Sequence, residues 1–116
     1  MNNIIESVIE KTKNNKLDWK ESVYKERYYA TIHQNQFDSL TFFISREQKG
    51  ELQQTSFWVT DSVGSTIWGK TTETGSGSSE LTFNNELRLL FDIVSRVVYN
   101  KNKNAQQIVE SALKDL

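Results

Sequence analysis

The sequence predicts an α+β fold: an N-terminal helix, an antiparallel five-stranded meander sheet, and two C-terminal helices packed on one sheet face. Three observations carry this expectation. Apolar residues near both ends of the chain recur with a helical period. Between Lys16 and Thr71, β-branched and aromatic residues crowd into short runs separated by turn residues. The breaks between those runs are short, which makes successive strands antiparallel neighbours.

The first helix is marked by Ile4, Ile5, Val8, Ile9 and Thr12, spaced 1-3-1-3 along one face. Asn3 is placed to cap it, with Glu6 three residues on, and Asn14-Asn15 suits a left-handed exit. Five strands follow at about 17–23, 27–34, 39–46, 51–60 and 65–70. "NQFD" and "EQKG" supply turn chemistry between them. "DSVG" is the sharpest turn: Asp61 suits its first position and Gly64 its left-handed position, giving a three-residue hairpin loop with a bulge.

The segment of about 71–80, "TTETGSGSSE", is rich in Gly, Ser and Thr and reads as a flexible loop. Leu87, Leu90, Phe91, Val94, Val97 and Val98 then hold helical spacing, and Leu89 and Ile93 widen the apolar face. Arg88, Asp92 and Arg96 form a charged ladder on the remaining face. "NKNKN" is expected to break this helix. Asn104 with Gln107 would cap a last one, which carries Ile108, Val109, Ala112 and Leu113.

Composition bounds the function. The 116 residues predict a single domain spanning 1–116, large enough to bury a core. Fourteen basic and fifteen acidic residues are interspersed, for a net charge of −1. No basic stripe stands out, which argues against nucleic-acid binding. The absence of cysteine excludes disulfides, thiolate metal sites and cysteine nucleophiles. "MNNIIESVIEKTKNN" lacks the apolar core of a signal peptide, and no apolar run is long enough to cross a membrane. The expectation is a cytoplasmic protein with no membrane contact. Ten Asn, ten Lys and no Pro fit an AT-rich coding sequence, as in a low-GC bacterium.

One motif demands a test. Gly64 to Thr71, "GSTIWGKT", fits the G-x-x-x-x-G-K-[ST] pattern of a phosphate-binding loop. A working loop of that kind needs a strand before the glycines and a helix starting at Lys-Thr. Here Gly64 closes a hairpin, Thr66-Ile67-Trp68 favour extended chain, and no helical pattern follows Lys70. The context argues against a nucleotide site, and no cofactor or metal is expected. The one histidine, His33, falls at the end of the second strand; a small enzyme using it with nearby carboxylates is the third-ranked reading.

The aromatic residues point elsewhere. If residue i of the "DSVG" hairpin pairs with 126 − i, Trp58 faces Trp68, while Val59 and Ile67 share the other side with Phe57. Tyr28, Ala30 and Ile32 read as core, as do Leu40, Phe42 and Ile44. The opposite face then presents Tyr29, Phe43, Trp58 and Trp68 as candidate binding residues. Exposed aromatics on a rigid sheet serve partner surfaces. Either a protein partner or a second copy of the chain meets these rings, or they line a small-molecule pocket, or loop 71–80 or a terminal segment folds over them. The leading expectation is a non-enzymatic interaction or self-association module, with a homodimer as one form.

The segments "KLDW", "YYA" and "NELRLLFDIVSRVV" resemble, in a "KLxW…YYA…ELxxLxxxV" layout, a diffuse group of small bacterial and mobile-element α+β proteins, mostly without assigned function. The resemblance covers nearly the whole chain. It implies the same α+β order and carries over no catalytic residues.

Overall fold

The computed structural model describes residues 3–34, 38–74 and 81–116. Helix α1 spans Ile4–Lys13. The Asn3 side-chain oxygen accepts a hydrogen bond from the Ile5 amide at 2.9 Å, satisfying one of the free donors at the helix start. Asn15 leaves the helix in the left-handed region at φ 58°. The Lys16 amide reaches back to the Lys11 carbonyl at 2.8 Å and the Asn15 amide to Thr12 at 3.1 Å, closing a Schellman-type end.

Five strands follow: β1 (Lys20–Glu21), β2 (Arg27–His33), β3 (Ser39–Lys49), β4 (Leu52–Thr60) and β5 (Thr66–Thr74). They form one antiparallel sheet in the order β1-β2-β3-β4-β5, the expected meander. β1 is far shorter than expected, with only Lys20 and Glu21 pairing to Tyr29 and Tyr28. β3 and β4 meet in a two-residue turn in which Gly50 takes φ 62°. The "DSVG" turn forms as expected. Asp61 accepts from the Val63 and Ser65 amides at 3.1 and 2.9 Å, and Gly64 sits at φ 90°.

Three sequence expectations are corrected. Residues 71–74 belong to strand β5 and not to a flexible loop; the remainder of that expected loop lies outside the described residues. Ile67, expected in the core, is 56% exposed, and Leu89 is exposed as well. The two C-terminal helices are one: α2 runs unbroken over Leu81–Lys114, 34 residues. "NKNKN" contains neither Gly nor Pro. Asn costs only a few tenths of a kcal/mol in a helix interior, about what an already nucleated helix tolerates at each added residue.

Both helices lie on one side of the sheet, α2 against β3, β4 and β5 and α1 against α2. The core between them is built from Ile5, Val8 and Ile9 of α1, Leu87, Leu90 and Val94 of α2, and Ile44, Phe57 and Val59 of the sheet. Trp19, 1% exposed, closes it from the segment after α1. Among the described residues, no helix is long and apolar enough to cross a membrane.

Candidate functional site

Strand alternation sends Tyr29, Phe43 and Trp58 to the face away from the helices. The register makes them direct cross-strand neighbours: Lys20 pairs with Tyr29, Tyr29 with Phe43, Phe43 with Trp58, and Trp58 with Gly69. The row therefore crosses all five strands. Its rings touch in sequence. Tyr29 and Phe43 lie 6.4 Å apart, and Phe43 and Trp58 stack at 5.0 Å with 8° between their planes. All three are half-buried.

Rows of hydroxyls flank the rings. Thr31 and Thr41 share a 3.1 Å hydrogen bond on one side, and Ser56 and Thr71 another of the same length on the other. The face is thus an apolar strip bordered by small polar groups that already bond to one another, which leaves a flat surface.

Arg27 places a positive charge directly beside these rings. Two residues before Tyr29 on the same strand, it projects to the same side. Its guanidinium lies 5.3 Å from the centre of the Trp58 ring and 4.5 Å from that of Tyr24. The preceding turn presents Tyr24, whose amide donates to the Ser22 hydroxyl at 3.0 Å. The cation is held between two ring faces. Gly69, opposite Trp58, has no side chain to fill the space next to that ring. A notch of about 380 Å³ opens there, lined among others by Arg27, Glu47, Ser56, Trp58, Lys70 and Thr71, so that charges of both signs border it.

Trp68 does not join this face. β4 and β5 pair as Val59↔Trp68 and Trp58↔Gly69, one residue out of the expected register, with an irregularity between Val59 and Thr60 that leaves Ile67 unpaired. A one-residue slip moves a side chain to the other side of the sheet. Trp68 instead packs on the core and meets Phe57 edge-on at 5.8 Å. Arg27, Tyr24 and Gly69 are the members that sequence reading missed. The i, i+2 spacing of Arg27 and Tyr29 was the one available signal.

The remaining candidates lie apart. His33 is exposed at the end of β2, opposite Ser39. The Gly64–Thr71 motif maps onto the β4–β5 turn and strand β5, so no helix begins at Lys70 to receive a phosphate. Among the described residues there is no cluster of His, Cys, Asp and Glu able to hold a metal. On the helix side of the sheet, burial and then the nearby Glu21 and Glu26 carboxylates push the Tyr28 hydroxyl above its ordinary pKa of 10.0. Tyr28 borders a depression of about 450 Å³ with Asp92, Arg96 and Tyr99. Asp92, expected in a ladder along its own helix, instead pairs with Arg46 of the sheet at 3.3 Å. Comparison with protein-family models, with characterised proteins and with solved structures finds no match to this chain.

Proposed function

We propose that the chain is a non-enzymatic interaction module whose open sheet face docks a protein partner through Tyr29, Phe43 and Trp58. One observation carries this reading: three cross-strand aromatic rings form a continuous row, Phe43 and Trp58 stacked and Tyr29 tilted against Phe43, on the side of the sheet that neither helix covers. The solvent face of an antiparallel sheet is ordinarily polar. Rings prepacked against each other lose little side-chain freedom on binding, which suits them as anchors. The test is a photoreactive residue at position 41, beside the rings. It should link to one defined protein in cells that make the chain, and Trp58→Ala should abolish the link. A link that persists in both Trp58→Ala and Phe43→Ala would retire the reading, and a link to the chain itself would make the partner a second copy.

The notch between Arg27, Trp58 and Gly69 favours a second reading, a small planar ligand held beside the Trp58 ring on the same face. Gly69→Val would fill the notch while keeping all three rings, its added Cβ coming into van der Waals contact with Trp58. Loss of ligand binding with retention of the protein link would separate the two.

A further inference from the structure

Beyond Asn100, every residue of α2 is exposed. The buried half of the helix lies on the sheet and the rest projects from the domain. The projecting half is not polar all round. Ala105, Ile108, Val109, Ala112 and Leu113 follow one another at spacings of 3, 1, 3 and 1, which draws a single apolar stripe along one side, and Leu116 follows just past the helix end. Ile108 is 70% exposed, Leu113 63% and Leu116 101%. A helical segment of this length is marginal in water unless its apolar side is covered.

We infer that this segment pairs antiparallel with the same segment of a second copy of the chain. The stripe is its own complement. About a two-fold axis between positions 110 and 111, Ile108 meets Leu113 of the second copy and Val109 meets Ala112, while Ala105 lies toward Leu116 just past the helix end. The direction follows from charge. Lys103 stands near the start of the segment, Lys101 before it being held by Asp18, while Glu110 and Asp115 stand toward its end, where the helix dipole is also negative and Lys114 is the one basic residue. Antiparallel pairing sets basic end against acidic end, and parallel pairing would set like against like. At the base of the projection a groove of about 750 Å³, floored by Leu17, Trp19 and Val97, leaves room beside the helix. The pairing lies wholly on α2 and does not depend on what the sheet face binds.

Light scattering at tens of micromolar should give twice the chain mass of 13.5 kDa. The double variant Ile108→Lys, Leu113→Lys changes two exposed residues that lie outside the core. It should weaken association by about a hundredfold or more, as loss of paired anchors does. Far-ultraviolet helical signal should fall on dissociation while the thermal transition of the core remains. Trp58→Ala should leave the mass doubled. A single-chain mass at every concentration would overturn the inference. A dimer that survives the double lysine variant would overturn it equally, and one lost in Trp58→Ala would move the contact to the sheet.

Discussion

The Trp19 indole donates its Nε1 hydrogen to the Thr12 hydroxyl at 2.9 Å, and that hydroxyl donates in turn to the Val8 carbonyl at 2.7 Å. All of it is buried, so the segment after α1 is fastened to the helix from inside the core. Thr12→Val keeps the shape but leaves the indole hydrogen without its acceptor. A buried donor stranded in this way costs about 1–3 kcal/mol. Urea unfolding should show that loss with an unchanged m-value.

The two sheet tryptophans should behave oppositely. Trp68→Ala removes a ring packed on Phe57 and should destabilise the fold by about 2–4 kcal/mol, somewhat below the range for fully buried aromatic residues. Trp58→Ala, on the open face, should cost clearly less. Paired denaturation curves check the order, and equal losses would show that both rings are structural.

Leu90 is fully buried between α2 and the sheet. Leu90→Ala should cost about 2–5 kcal/mol, the range for a cavity left by a core leucine. Because the same helix carries the projecting segment, its dimer should dissociate at lower urea as well, as analytical ultracentrifugation in denaturant would record.

The Asp18 carboxyl is held below its ordinary pKa of 3.8, first by its hydrogen bond from Lys101 and then by the charges of Lys101 and Lys20, with slight burial acting against them. A carboxylate with a lowered folded pKa adds stability above its unfolded value and loses it as pH falls through the folded value. The contribution is therefore present above about pH 4 and fades below it. Both partners are largely solvated, with side-chain exposures of 67% and 49%, so the pair contributes under about 1 kcal/mol and weakens with salt. Asp18→Asn should flatten that part of the acid limb in a low-salt pH titration of stability.

Much of this was legible in the chain. Asn3 and Asn15 marked both ends of α1, Asp61 and Gly64 marked a hairpin, and the alternation through Tyr29, Phe43 and Trp58 put three rings on one face. Two things were not. The extra residue in β5 is Ile67, whose side chain signals an ordinary strand, so nothing in the sequence announced the slip that carries Trp68 into the core. The fate of "NKNKN" depended on the turns before it: a segment that would not start a helix alone continues one nucleated by Leu87 to Val98. Local composition does not encode that dependence.

An unbroken helix that is clamped for half its length and free for the other half is a lever. With its apolar side covered, the ladder of backbone bonds makes the arm stiff. With about 21 Å of arm at 1.5 Å per residue, a tilt of about 10° at the base displaces the tip by about 4 Å. The clamp includes the Asp92 to Arg46 ion pair and the Arg46 guanidinium over the Phe91 ring at 4.1 Å, which join the helix to the same strand that carries Phe43. The base of the arm is thereby tied, through Arg46, to the strand that carries Phe43.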